Sequence, residues 1–513
     1  MAMQNWSVAG FSSALAFRGC REKVAMQPNL RWFREVLQKH AQGGSPQAAV
    51  RGVEQRYTYA QLLTEVERRE SRLREQPAGP IALFLDNGPE ALFWDLAALF
   101  SERPCIVLPP FFSPSQRAHC LQQSQTPLVL AGEVMGEELR ALGYVFDGMF
   151  WKHPITHSDA LPDGTAKITY TSGSTGTPKG VCLSAEAMLR VAHELEAASR
   201  PTQPSHYLVV LPLGVLLENL GVYAALLAGA QVTLLPLHQL GMSGASGIDI
   251  KRLLTCIALS GAQSLILVPQ LLLGLVTAIE RGLMGVGALR FVAVGGAKVS
   301  EGLLSRAQAV GLPVYEGYGL SECASVVCLN RPQHSRPGTV GRPLPHVEVR
   351  LAEDGEVQVR GTTMLGYLGE PASIGSWLST GDLGRFDADG YLHILGRKKN
   401  QFITSLGRNV NPEWVEAELT QDGTILQAFI HGEGLSHNLA LLWPLSSETS
   451  DAELDAAVQR CNSSLPDYAR VHRWARLPEP FASSNGLLTG NGRPRREAIY
   501  LHYQNTLNQL VTE

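Results

Sequence analysis

Eleven consecutive residues, Tyr170-Thr171-Ser172-Gly173-Ser174-Thr175-Gly176-Thr177-Pro178-Lys179-Gly180, concentrate hydroxyl groups, glycines and one lysine. Glycine lets a backbone turn sharply and approach a ligand with no Cβ in the way. Hydroxyls and backbone amides supply donors and the lysine supplies a positive charge, so the stretch has the chemistry to hold a polyphosphate. It is not a Walker A sequence, which needs glycine directly before the lysine and a hydroxyl directly after it; Pro178 and Gly180 stand there instead. A flexible turn of the same composition is the plain alternative. The segments further along the chain separate the two.

Gly295-Gly296-Ala297 ends an apolar, β-type run. Tyr315-Glu316-Gly317-Tyr318-Gly319-Leu320-Ser321-Glu322 sets aromatics, glycines, a hydroxyl and a carboxylate just after Pro313-Val314. Ser379-Thr380-Gly381-Asp382 is followed by Gly396-Arg397-Lys398-Lys399, and Asn485 to Arg496 forms a glycine-rich basic run near the end. Each alone fits an ordinary turn. Their order along one chain carries the signal.

In that order the segments resemble the adenylate-forming superfamily: acyl-CoA synthetases, fatty acid–AMP ligases, the adenylation domains of peptide synthetases, and luciferases. The resemblance covers nearly the whole chain. It implies an N-terminal AMP-binding domain over residues 1–397 and a mobile C-terminal domain over 398–513, with a hinge at Lys399. It assigns Thr171, Ser172, Gly173, Ser174, Thr175, Gly176, Thr177 and Lys179 to the triphosphate. Gly295, Gly296 and Ala297 would border adenine and the acyl tunnel, Tyr318 would lie against the base beside Gly319, and Ser321 would bond a phosphate. Glu322 would hold Mg²⁺, an oxygen-ligated ion that keeps several waters and bridges phosphates. Asp382 would bond the ribose hydroxyls with Arg397 behind it.

Two segments bear on the acid and the acceptor. Leu211-Pro212-Leu213-Gly214-Val215-Leu216-Leu217-Glu218-Asn219 resembles a segment of long-chain acyl-CoA synthetases, with Val215 where that group has histidine. Glu218 fits equally a carboxylate satisfied by neighbouring helix groups. An amino-acid-activating domain would need a buried aspartate here to pair with the substrate ammonium, and the segment has none. Gly407, in Gly407-Arg408-Asn409-Val410-Asn411, resembles the loop that the superfamily swings toward the active site for its second half-reaction.

One departure stands out. The superfamily carries a lysine after a Thr-x-x-Gly pattern near its C-terminus; here Thr489-Gly490-Asn491-Gly492 is followed by Arg493, and no lysine occurs after Lys399. Arginine keeps the charge but spreads it over a planar fork.

The resemblance implies ATP- and Mg²⁺-dependent activation of a small carboxylic acid, fatty or aryl, to an acyl-adenylate. Transfer to the thiol of coenzyme A, or to the phosphopantetheine of an acyl carrier protein, would complete the reaction. Lys179, Glu322 and Arg493 would be the catalytic residues. The alternatives are β-lactone formation from a hydroxy acid, and a nucleotide-binding relative with weakened catalysis.

The elements that must position these groups alternate between apolar β-type runs and amphipathic helices. Pro80–Asp86, Lys167–Tyr170, Tyr207–Leu211, Val232–Leu235, Ser264–Val268 and Arg290–Gly295 read as strands; Asn29–His40 and Pro89–Phe100 read as helices. Ser184 is placed to cap a helix with Met188, Val191, Ala192 and Leu195 on one face. Such alternation predicts an α/β fold with parallel-type sheets covered by helices. His346–Leu351 and Glu356–Arg360 flank an Asp-Gly turn and predict a small antiparallel β subdomain. The region after Lys399 predicts a compact α+β domain, with a helix begun by Asn411 and Pro412.

The chain of 513 residues suits two or more domains. Its net charge of −4 leaves no electrostatic footprint for nucleic acid. Eight cysteines without paired spacing point to a reducing, cytoplasmic setting. Met1–Gly19 does not read as a signal peptide. The apolar region Leu208–Leu237 contains Pro212, Glu218 and Pro236, so strand, helix and strand account for it better than a membrane span.

Overall fold

The computed structural model describes residues 28–43, 48–154, 161–172, 178–243, 247–370, 376–489 and 492–512. Two large sheets dominate the N-terminal part. The nine-stranded sheet runs Arg342–Pro343, Cys328–Leu329, Val314–Tyr318, Phe291–Val294, Ser264–Leu267, His206–Leu208, Gln231–Thr233, Val50–Arg51, Arg56–Tyr57. Its central neighbours are parallel and its margins antiparallel. The eight-stranded sheet is parallel around Ile81–Phe84, Cys105–Val107 and Leu128–Ala131 and antiparallel at both sides. The expected parallel sheets are therefore parallel only at their centres.

Helices Pro89–Phe100 and Leu216–Leu227 are apolar nearly all round, with almost every residue buried. That pattern suits helices buried in a core rather than lying on a surface. One continuous core joins Ile81, Leu83 and Leu128 of one sheet to Leu208, Val232, Leu265 and Val292 of the other through Leu92, Leu96, Leu220 and Tyr223. The predicted strand, helix and strand over 208–237 appear as His206–Leu208, Leu216–Leu227 and Gln231–Thr233. No helix among the described residues is long and apolar enough to cross a membrane.

A polar cluster sits in this apolar setting. Lys167 donates to Asp95 and to Asn219, each at 2.6 Å, while Asn219 and the Tyr223 hydroxyl donate to the second Asp95 oxygen at 2.9 and 2.6 Å. Asp95 and Lys167 are 2 % and 4 % exposed. A buried charge is tolerated only when paired and hydrogen-bonded throughout. The cluster meets that condition and ties the strand Thr165–Ser172 to both buried helices.

The antiparallel subdomain is four-stranded, with Val347–Leu351, Glu356–Gly361, Leu378–Phe386 and Leu392–Arg397 in order. Beyond it, helix Pro412–Leu419, capped by Asn411, packs on the strands Ile425–His431 and Asn438–Pro444. The strand Val471–Arg476 and the helices Arg496–His502 and Gln504–Thr512 complete the domain; no sequence pattern placed these three. They form a second C-terminal core around Phe481, Leu487, Ile499 and Tyr503.

Lys167→Met should leave the Asp95 carboxylate buried without its counter-charge and lower unfolding stability by about 3–5 kcal/mol. Urea denaturation measures this, and a loss below about 1 kcal/mol would contradict it.

Candidate active site

The strand Thr165–Ser172 turns back as Pro178–Ser184, with Thr171 opposite Lys179 and Ser172 opposite Pro178. The strands on either side of the predicted phosphate loop are thus paired, and Ser184 caps the following helix as expected. Gly173, Ser174, Thr175, Gly176, Thr177 and the Ser172 side chain lie outside the described residues. Thr171 makes a long 3.5 Å contact to the Lys179 carbonyl. The Lys179 ammonium is half-exposed, 3.6 Å from Glu370 and 5.1 Å from the centre of the Tyr367 ring. The Tyr367 hydroxyl donates to Glu322 Oε1 at 2.9 Å.

Glu322 sits in the single turn Ser321–Cys323. Ala324 and Ser325 come next, with φ of 50° and 91°, a left-handed path that costs non-glycine residues about 1–3 kcal/mol each. Gly319 is required there, since a Cβ would lie 1.5 Å from the Ser325 carbonyl oxygen.

Tyr318 and Asp382 meet directly. The Tyr318 hydroxyl donates to Asp382 Oδ2 at 2.6 Å, and Arg397 Nε lies 2.9 Å from Oδ1. Arg397 also donates to the Thr380 carbonyl at 2.9 Å, which fixes its fork. Burial raises the Asp382 pKa, while Arg397 and Tyr318 oppose the rise. Each carboxylate oxygen accepts more than one hydrogen bond, so the pair leaves Asp382 capacity for ribose hydroxyls.

Arg493 arrives from the C-terminal domain and donates from Nη2 to the Gly296 carbonyl at 3.1 Å. The Thr489 amide donates to the Arg493 carbonyl at 2.8 Å, and the Arg493 amide donates to the Thr489 hydroxyl at 3.0 Å. Three residues on, Arg496 Nη1 makes two contacts to Glu416, at 2.8 and 3.0 Å. Arg493 is exposed, at the domain boundary marked by its contact to Gly296. Partial desolvation and then Arg397 lower its pKa, whereas Asp382, Glu413 and Glu322 favour its charge. Gly296 has φ of +84° and Gly295 has only 3.1 Å between a notional Cβ and the Gly317 carbonyl, so this loop needs both glycines.

Lys179, Glu322, Tyr318, Asp382, Arg397, Arg493 and the Gly295–Ala297 loop therefore border one cleft. Other candidates lie apart. Gly407, with φ of +72°, turns an exposed hairpin whose neighbouring bonds, Ser405 to Leu435 and Gly434 to Ile403, stay within the C-terminal domain. Lys399 is exposed in the short turn Lys398–Asn400, which Lys398 ties to Asp354 and Glu356. Val215 precedes the buried helix Leu216–Leu227. Glu218 is wholly buried, accepting from the Tyr207 hydroxyl at 2.7 Å and the Leu211 amide at 3.0 Å. It is a carboxylate satisfied by neighbouring groups, one of the two roles its position allowed.

Sequence reasoning missed Tyr367, Glu370 and Glu413, because none sits in a segment with a recognisable spacing. It also passed over Glu316, which is 7 % exposed with Oε2 lacking a partner among the described residues. Burial pushes Glu316 up to about 8, against the pull of the nearby Lys298.

The AMP-binding enzyme model matches residues 37–369, and the AMP-binding enzyme C-terminal domain matches 399–513. This chain belongs to the AMP-binding, adenylate-forming enzymes. Among curated members it is 28 % identical to the long-chain-fatty-acid–CoA ligase FadD15 of Mycobacterium tuberculosis, over 65 % of this chain and 67 % of that one. It is 27 % identical to the 2-succinylbenzoate–CoA ligase of Bacillus licheniformis, over 75 % and 83 %. Three solved structures share the fold. The anthranilate CoA ligase AuaEII with anthranoyl-AMP has a TM-score of 0.78 at 17 % identity, covering 92 % of this chain and 96 % of that one. The MenE synthetase of Bacillus subtilis with ATP and magnesium has 0.72 at 22 %, over 90 % and 98 %. The amide bond synthetase McbA of Marinactinospora thermotolerans has 0.72 at 24 %, over 92 % and 99 %.

An AMP-binding enzyme of this kind implies Mg²⁺ with its nucleotide, and the donor set here suits that ion. Among the described residues no group of three or more His, Cys, Asp or Glu is placed to hold a metal. A lone Glu322 carboxylate is what Mg²⁺ needs when phosphates and waters supply its remaining ligands.

Burial pushes the Glu218 carboxyl up to about 8 from 4.5. Between those two values the unfolded chain loses this proton while the folded chain keeps it, so folding stability falls as pH rises through the window. Glu218→Gln, with the Tyr207 hydroxyl turned to accept, should flatten that fall in urea titrations across the range. An unchanged slope would remove Glu218 as its source.

Proposed function

We propose that this chain activates an uncharged-bodied carboxylic acid, fatty or aryl, as its acyl-adenylate and passes the acyl group to a thiol. The observation that carries the reading is Arg493 reaching the Gly296 carbonyl across the domain boundary, into the cleft that holds Lys179, Glu322 and Asp382. A cationic group delivered there by a second domain serves a reaction in which negative charge builds on phosphate.

In the first step a carboxylate oxygen attacks the α-phosphorus of ATP. A new acyl–phosphate bond forms and the bond to pyrophosphate breaks. Mg²⁺, when bound, neutralises phosphate charge. Glu322 holds its place, Lys179 faces the outer phosphates, Asp382 and Arg397 fix the ribose, and Arg493 meets the charge at the reacting phosphate. Their contribution is orientation and charge stabilisation. In the second step a thiolate attacks the acyl carbonyl and AMP leaves. Coenzyme A or a carrier-protein phosphopantetheine supplies that thiol. The domain boundary at residues 397/398 and the hinge at Lys399 give the exposed Gly407 hairpin its route to the cleft.

Two features support an uncharged acid body. Leu213, Leu216 and Leu220 around Val215 are buried and apolar, and Glu218, the nearest carboxylate, is consumed by Tyr207 and Leu211. Among the relatives, the CoA ligases named for long-chain fatty acids and for 2-succinylbenzoate agree with an acid–thiol ligase.

Pyrophosphate release should therefore be fastest with fatty or aryl acids, each buried methylene adding roughly 0.8 kcal/mol of binding until the tunnel is full. Adding coenzyme A or pantetheine should convert the adenylate to a thioester. Preferential turnover of free α-amino acids would sink this assignment.

Arg493→Ala should slow acyl-adenylate formation by about 10²-fold while weakening ATP binding far less. Arg493→Lys should retain or raise the rate, since both groups carry the charge. Single-turnover assays of the two half-reactions decide it: parent-like adenylation by Arg493→Ala would make Arg493 a surface residue only.

A further inference from the structure

Tyr367 lies in a short segment, Met364–Leu368, that is laced by its backbone to both sides of the cleft. The Met364 amide donates to the Glu322 carbonyl at 2.7 Å, Leu365 to Cys182 at 2.9 Å and Leu368 to Gly180 at 2.8 Å. Gly366 and Tyr367 pair with Cys182 and Val181, next to Lys179 in the same strand. A glycine at 180 is part of this fit, since a Cβ there would lie 3.1 Å from Leu368 Cβ. The backbone thus holds one tyrosine between two segments 143 positions apart in sequence, from 179 to 322.

The side chain uses that place at both ends. Its hydroxyl donates to Glu322 Oε1 at 2.9 Å, and the Lys179 ammonium stands 5.1 Å from its ring centre, within the range of a cation–π contact. A phenol hydroxyl is a hydrogen-bond donor and the ionised carboxylate accepts only. An ammonium and a carboxylate with nothing between them would pair and spend their charges on each other before a phosphate arrived. Lys179 instead takes the exposed Glu370 at 3.6 Å, a weak and easily exchanged partner.

We propose that Tyr367 is a positioning residue for the triphosphate, holding the Glu322 carboxylate by its hydroxyl and the Lys179 ammonium by its ring so that both charges stay available to the ligand. This rests on the reading that Lys179 and Glu322 serve the nucleotide. It adds a residue through which the two are set relative to one another.

The test is calorimetric titration of ATP, with and without Mg²⁺, in the absence of any acid. Tyr367→Phe keeps the ring and loses the donor. Its affinity for Mg·ATP should fall about tenfold, the worth of a hydrogen bond to a charged group, while Mg-free ATP binds as in the parent. In a Glu322→Gln background the same change should cost nothing further. Tyr367→Leu loses the ring as well and should also weaken Mg-free ATP, by about threefold, an effect that vanishes in a Lys179→Met background. Circular dichroism melts identify a variant that fails to fold, and Tyr367→Phe alone then decides. Parent-like Mg·ATP affinity in Tyr367→Phe, or an equal loss with and without Mg²⁺, overturns the inference. A parent that binds Mg·ATP but releases no pyrophosphate with any acid defeats the ligase reading, while the difference between parent and Tyr367→Phe still stands.

Discussion

The cleft depends on where the strand Thr165–Ser172 is held, and a buried ion pair holds it. Lys167 reaches inward to Asp95 and Asn219 on the two buried helices, and the Tyr170 hydroxyl donates to the Cys120 carbonyl at 2.9 Å. His119, next to Cys120 in the same helix, contacts the Pro178 carbonyl through Nε2 at 3.0 Å. Both strands that flank residues 173–177 are thereby fastened to the body of the domain.

From that strand, positioning spreads sideways through backbone pairing. Pro178–Ser184 pairs with Thr165–Ser172, Gly366–Tyr367 pairs with Pro178–Ser184, and Met364 reaches the Glu322 turn. Lys179, Tyr367 and the Glu322 turn are thus placed by main-chain pairing. This matters because exposed ion pairs are weak and adaptable, while backbone ladders are not. The C-terminal side obeys the same rule. Arg493 is held by bonds to Thr489, and the Arg496 and Glu416 pair fixes the chain just after it inside its own domain.

Arg493 spans to the Gly296 carbonyl with one arm of its fork, and a guanidinium has further donors to spare. Gly407 and Lys399, by contrast, belong to surfaces that face solvent in this arrangement.

The sequence by itself determined the family, the α/β class, the order of the cleft segments and several of the central strands, because these rest on local patterns. Continuous apolar runs mark strands such as Ser264–Leu267, caps such as Ser184 and Asn411 mark helix starts, and glycines with fixed neighbours mark the segments that resemble the superfamily's. Only the tertiary structure decided which groups meet. Asp95 and Lys167 lie 72 positions apart and neither stands in a motif. Tyr367 joins Lys179 to Glu322 through pairings between distant strands, and Glu218 turned out to be occupied by Tyr207 and Leu211. The physical reason is that local propensity reads neighbours along the chain. A carboxylate's partner, and hence its burial and its charge, is chosen by packing across sheets.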